Sequence, residues 1–274
     1  MSSTADLDTA VAFLESRGLL DNADLIGLLY GMQSRPEPIR ALLCLRADQP
    51  AGVMWINDDC RTAQSYVRMD AVDGEAVNAL LGSLPEGHEG YYRLHRPHIQ
   101  RHFGSLTGAA KVHVDINFSV SAAGFAPVAG EEVVEVGQGD AGLFDGCEAW
   151  VKGALHRLGE DGLRAFAILR RGRVAASALM GPVIPRGGRD YGIVGIAAVY
   201  TEPGHRRARL GKRLVSHMTE IIVQQGGTAV YWTTPDNTAS RRLAESLGYR
   251  QYGTIEDYTW RKPCTRYTRS KSGT

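Results

Sequence analysis

Several absences narrow what this 274-residue chain does. Its four cysteines, Cys44, Cys60, Cys147 and Cys264, are scattered and never fall in a Cys-x-x-Cys pair. That spacing argues against a disulfide framework and a zinc site, and fits reduced thiols in the cytoplasm. No apolar run approaches the roughly 18 residues needed to cross a bilayer. The opening residues MSSTADLDTA hold no Lys or Arg and no apolar centre, so no secretory signal is expected. Nor does charge of one sign dominate: 31 Lys and Arg against 30 Asp and Glu leave a formal +1. Any basic surface must therefore be local. What is present, 43% hydrophobic and 22% charged residues, is ordinary for a globular protein of one large or two usual domains. The expectation is a cytoplasmic, metal-free protein.

The stretch Ser121–Glu132 is rich in Gly, Ala and Pro and lacks periodicity, which marks a boundary. It divides the chain into residues 1–122, a linker at 123–131, a second domain at 132–262 and a basic tail at 263–274. The second domain reads β-α-β-β-β-α-β-α-β. Its helices are expected near 140–158, 210–224 and 237–247, the last ending at Gly248 as a C-cap. The first reads as two helices (6–15, 23–32), three strands (41–45, 52–56, 65–69), a helix (74–81), a strand (90–94), a short helix after Pro97 and a strand (111–118). The same order of elements occurs twice with little residue-level similarity. The fold class is therefore α/β with a mixed sheet, arising from a tandem duplication.

The chemistry concentrates in PGHRRARLGKRLV, Pro203 to Val215. A strand enters it and a helix leaves it, the layout of a backbone anion cradle at a helix N-terminus. Pro203 fixes the turn, Arg206 and Arg207 offset negative charge, and Gly211 permits close approach. By itself this stretch is in the first place a solvated basic helix start. A second stretch, NTASRRLAESLGYR from Asn237 to Arg250, opens a helix with Asn and closes it with Leu-Gly-Tyr.

The two stretches, about two dozen residues apart, resemble motifs A and B of the GNAT superfamily of acyltransferases. The family's Arg/Gln-x-x-Gly-x-Gly/Ala loop aligns with Arg206 to Gly211. Its Asn-x-x-(Ala/Ser)…Leu-Gly-Phe aligns with Asn237, Ser240, Leu247, Gly248 and Tyr249. The resemblance covers about half the chain and implies a GNAT fold there, with a cofactor-free copy before it. It implies acetyl-CoA or another acyl-CoA as donor, with no metal. The backbone at Val199 and Thr201 would meet the pantetheine arm. Arg206, Arg207, Arg209, Leu210, Gly211 and Lys212 would hold the pyrophosphate. Asn237 would contact the arm or cap its helix. Two departures stand out. Arg209 replaces the first motif glycine, and Ala244 occupies the place where relatives carry a Tyr that protonates the leaving thiolate.

Acylating an amine needs a base and an acid. Glu202, Tyr200 and Ser240 are the catalytic candidates, with His205 and Tyr249 as lesser ones. Glu202 is in the first place a solvent-facing loop carboxylate, His205 part of the basic turn, and Tyr249 a core residue. Two more stretches mix basic and aromatic residues, Tyr91–Phe103 and Trp260–Lys271. Each is in the first place a solvated surface or tail. Together with Arg209, their Arg93, Arg96, Arg101, Arg261, Lys262 and Arg266 also suit a larger donor, an aminoacyl-tRNA, whose phosphates need such patches. A carrier-protein phosphopantetheine is a further donor. A binding module that senses acyl-CoA or RNA without turnover is the reading from another class. The acceptor is expected to be a small-molecule amine.

Overall fold

The computed structural model describes residues 4–32, 39–58, 64–130, 132–145, 147, 148, 151, 153, 158, 162–184 and 191–264. Along them run α1 (Thr4–Ser16), α2 (Leu19–Gly31), β1 (Ile39–Arg46), β2 (Gln49–Asn57), β3 (Ser65–Ala71), α3 (Gly74–Gly82), β4 (Glu89–Leu94), α4 (Pro97–Gly104) and β5 (Ala110–Val120). There follow β6 (Val134–Val136), β7 (Arg164–Arg170), β8 (Arg173–Pro182), β9 (Ile193–Thr201), α5 (Leu210–Gln224), β10 (Thr228–Thr233), α6 (Thr238–Ser246) and β11 (Arg250–Arg261). The stretch read as a helix over 140–158 opens instead as a 3-10 turn, Gln138–Phe144. Gly137, Gly139 and Gly142 disfavour an α-helix there. Trp150, Ala154 and Leu155 of that reading, and Cys60, lie outside the described residues.

The chain forms two compact units. One comprises residues 1–25, 32–113 and 255–274; the other comprises 26–31 and 114–254. Gly124 to Gly130, within the expected linker, belong to the second unit. There Ala126 N–H donates to Leu247 O at 3.0 Å and Val128 N–H to Ser216 Oγ at 2.9 Å.

In the first unit β1, β2 and β3 form an antiparallel meander, and β4 lies parallel to β3 after α3. Residues Ala76, Val77, Leu80 and Leu81 of α3 recur at helical spacing and are buried. They join Ile99 and Phe103 of α4 over Met69, Tyr92 and Leu94. The outer edge of β4 would be left unpaired. It is closed by Glu256–Arg261 of β11, antiparallel and in register from Glu256↔Leu94 to Arg261↔Glu89.

The second unit repeats this plan. β6 to β9 run antiparallel, and β10 lies parallel to β9 after α5. The turn between β7 and β8 places Arg171 and Gly172 at φ 52° and 73° between paired Arg170 and Arg173, the geometry of a two-residue primed hairpin. Leu210, Leu214, Met218 and Ile222, four apart along α5, form its buried stripe. Each such side chain contributes roughly 1.5–3 kcal/mol of burial. The free edge of β10 is closed by β5, from Ala229↔Val120 to Thr233↔Ile116. Each sheet therefore ends on a strand drawn from the other half of the sequence. The expected duplication is present, and it carries an exchange of last strands.

Candidate functional site

The second unit holds the site, where β9 leaves β10. Their parallel pairing runs from Ile193↔Thr228 to Ile196↔Tyr231. Across the other edge, the β8 register steps from Leu179↔Ala197 to Ser177↔Tyr200. Ala198 and Val199 thus oppose one residue, Ala178, which is a β-bulge. Ala198 sits at φ 52°, a left-handed conformation that costs an L-residue of order 1–3 kcal/mol. A bulge bends its strand, and this one lies just past the last parallel pair. Beside it is an apolar concavity lined by Phe144, Val151, Ala165, Ser177, Ala178, Leu179 and Ala198.

From β9 the chain enters the basic loop. Glu202 N–H donates to Ala175 O at 3.0 Å, and a 3-10 turn follows at Pro203–His205. Arg206 Nε folds back toward Thr201 O at 3.3 Å. Arg207 and Arg209 stand at φ 68° and 61°. These are left-handed positions, so the motif wants glycine for its backbone. Arg209 is the N-cap of α5, and its side chain makes no cap hydrogen bond. The first-turn N–H groups of Leu210, Gly211 and Lys212 have no partner within the helix, and the dipole adds positive character. A Cβ on Gly211 would stand 3.1 Å from Thr201 Oγ1, 3.6 Å from Leu243 Cδ1 and 3.8 Å from Val199 Cγ1. Glycine therefore lets the start of α5 close onto the end of β9 and onto α6.

The sequence candidates separate by environment. Glu202 and His205 are half-buried and 3.9 Å apart. Tyr200 is buried, opposite Ser177. Burial raises its phenol, and Cys147, Glu148 and Glu202 raise it further. Asn237 Oδ1 accepts from Ser240 N–H at 3.1 Å, so its side chain caps α6. Tyr249 is core: its hydroxyl meets Thr219 Oγ1 at 2.7 Å and its phenol is pushed up by burial. Ser240 Oγ is hydrogen-bonded to Tyr231 OH. Nothing in the run AVYWT, Ala229–Thr233, marks Tyr231 in the sequence. The bulge at Ala198 was equally invisible, because it is a mismatch between two strands.

The matching turn of the first unit is built differently. β3 and β4 pair through Met69↔Leu94, and β2 pairs β3 without a bulge. The helix after β3 starts on acid. Asp73 Oδ1 accepts from Ala76 N–H at 2.9 Å, Glu75 stands in the first turn, and Arg46 forks onto Asp73 at 2.9 and 3.1 Å. Two carboxylates there oppose a phosphate.

Several basic residues expected to form a nucleic-acid patch are engaged internally. Arg93 pairs with Asp257 at 3.1 Å, and Arg96 with Asp21 at 2.7 Å and Asp70 at 3.4 Å. Lys262 Nζ donates to Gly82 O at 2.6 Å and Leu84 O at 2.5 Å. Arg101, Arg209 and Arg261 are exposed, and Arg266 lies outside the described residues. Cys44, Cys147 and Cys264 are free thiols. Among the described residues no group of three or more His, Cys, Asp or Glu is placed to hold a metal. No helix there is long and apolar enough to cross a membrane.

Residues 187–260 match the family model described as FR47-like protein. No curated protein matches. Among solved structures, a Drosophila protein superposes with a TM-score of 0.63 at 14% identity, over 94% of this chain and 96% of that one. A GCN5-related N-acetyltransferase from Kribbella flavida gives 0.57 at 18% identity, over 88% and 93%. A tandem GNAT protein from the clavulanic acid biosynthesis pathway gives 0.56 at 13% identity, over 93% and 95%. At such identities the likeness is one of fold.

Proposed function

The chain has the GNAT fold in tandem, and from that premise we propose that its second unit is an N-acyltransferase taking its acyl group from acyl-CoA. The observation that carries this reading is the backbone at the start of α5. Two left-handed residues and an uncapped helix N-terminus turn consecutive N–H groups outward, directly after a strand that bends from its neighbour. A diphosphate suits those amides, with Arg207, Arg209 and Lys212 adding charge. Past Ile196, where pairing with β10 ends, the backbone of Val199 would hydrogen-bond an extended amide-bearing arm. The carbonyl to be attacked would then lie by the Ala198 bulge, above the apolar concavity, which suits a small acyl group.

The reaction is direct transfer. A neutral amine attacks the thioester carbonyl, the C–S bond breaks, and proximity supplies much of the rate. Glu202, half-buried just after β9, is the residue to take the amine's proton through water. The described residues of the first unit place carboxylates at its matching turn and no such cradle.

Calorimetric titration with acetyl-CoA tests the donor. Saturable binding is expected, weakened by Gly211→Val; no heat at millimolar donor would refute it. Acetyl transfer to a panel of amines then separates an enzyme from a sensor, which binds without turnover. The internal pairing of Arg93, Arg96 and Lys262 weighs against an aminoacyl-tRNA donor.

A further inference from the structure

Breaking a thioester leaves a thiolate that must gain a proton, and Ala244, fully buried, has no group to give one. We propose that Ser240 and Tyr231 form a two-hydroxyl relay that protonates the departing sulfur, Ser240 touching it and Tyr231 resupplying Ser240. This inference rests on the acyl-CoA reading above.

The placement follows from the sheet. Tyr231 is the last residue of β10 paired with β9, opposite Ile196, so it marks the point where the two strands part. Its side chain joins the core of Leu214, Ala244, Leu247 and Tyr249, on the face covered by α5 and α6. At the end of that side chain the phenol meets Ser240 Oγ. Ser240 is half-buried in the first turn of α6, one turn before Ala244 and on the same face. Leu243 of the same helix packs at Gly211, where α5 and Thr201 converge. Ser240 therefore borders the parting of β9 and β10 from the α6 side.

The two hydroxyls need one another. A serine hydroxyl is a weak acid, and it is the one of the pair that solvent or ligand reaches. Tyr231 carries the stronger acid but is 3% exposed. Burial raises its phenol and the Ser240 hydrogen bond draws it back down. As the C–S bond breaks and its electron pair settles on sulfur, the Ser240 proton passes to sulfur and the Tyr231 proton passes to Ser240 Oγ. The phenolate recovers its proton through Ser240 from the solvent, which has received the one lost by the acceptor amine.

The test compares CoA with desulfo-CoA by calorimetry at pH 9, for the wild-type chain, Tyr231→Phe and Ser240→Ala. A hydroxyl donating to a thiolate is worth about tenfold in affinity. The wild type is expected to bind CoA about tenfold tighter than desulfo-CoA. Ser240→Ala should lose that preference and Tyr231→Phe should diminish it, both holding desulfo-CoA as the wild type does. Phenylalanine keeps the ring in the core, and circular dichroism checks the fold. A preference that survives in Ser240→Ala or is undiminished in Tyr231→Phe overturns the relay, as does a variant that loses both ligands equally, which would mark a packing role. A wild type that binds desulfo-CoA without preferring CoA also overturns it. Failure to bind either ligand overturns the donor reading itself.

Discussion

Arg209→Gly separates two things that one residue does at the start of α5. Its backbone stands at φ 61°, where an L-residue pays roughly 1–2 kcal/mol over glycine. Glycine removes that strain but has more freedom to lose on folding, about 0.5–1 kcal/mol. The net expectation is a gain of about 0.5–1 kcal/mol. For a unit of this size each kcal/mol moves the midpoint by about 2–4 °C. The side chain makes no cap hydrogen bond and is exposed, so removing it costs the fold nothing further. Its charge near a bound diphosphate is worth at most about 1 kcal/mol at such exposure, or roughly fivefold in affinity. Arg209→Ala is the control, since it removes the charge and keeps the strain. Thermal melts and acetyl-CoA titrations of both variants decide the matter. They should share the weakened binding, with the glycine variant melting higher. Equal melting points would refute the strain argument. Tighter acetyl-CoA binding by Arg209→Gly would show the side chain to be an obstruction and not a phosphate contact.

Gly211→Val forces a branched side chain within 3.1 Å of Thr201 Oγ1. It should destabilise the second unit by about 1–3 kcal/mol and weaken donor binding, both read from melts and titrations. Asn237→Ala removes the cap of α6 and should cost about 1 kcal/mol while leaving acetyl-CoA affinity within twofold. A larger affinity loss would make Asn237 a donor contact. In the first unit, burial raises the Asp24 carboxyl, but His95 at 3.3 Å, Arg68 at 3.5 Å and Arg93 outweigh it and hold it well below its ordinary 3.8. A carboxyl depressed by folding adds stability above that ordinary value and loses it as pH falls toward the folded one. Asp24→Asn should therefore flatten the acid limb of the melting curve below about pH 4 and lower stability at pH 7. An unchanged limb would refute the assignment.

The repeating element order was legible because helix and strand periodicities are local. α3 shows its buried face in Ala76, Val77, Leu80 and Leu81, and β4 alternates Gly90, Tyr92 and Leu94 inward. The loop that starts α5 was legible for a related reason. Proline, consecutive arginines and Gly211 describe one contiguous turn, and the sequence alone placed it between a strand and a helix. The helix expected over 140–158 begins instead as a 3-10 turn, where Gly142 lies among the apolar positions and Gly137 and Gly139 just before them.

Tertiary structure alone decided the rest, since it depends on which strands meet. A strand's sequence carries its faces but not its neighbour, so β11 closing the first sheet and β5 the second could not be read from alternation. The bulge at Ala198 exists only as a register step between β8 and β9. Tyr231 and Ser240 are nine residues apart, on a strand and a helix, and their hydroxyls meet only once α6 packs on the sheet. Arg93 and Arg96 looked like a free basic patch until Asp257, Asp70 and Asp21, distant in sequence, came to neutralise them. Sequence determined most elements and the basic turn before α5, because those interactions span a few residues. Partners on different elements fixed the site around it, because only packing brings them into reach.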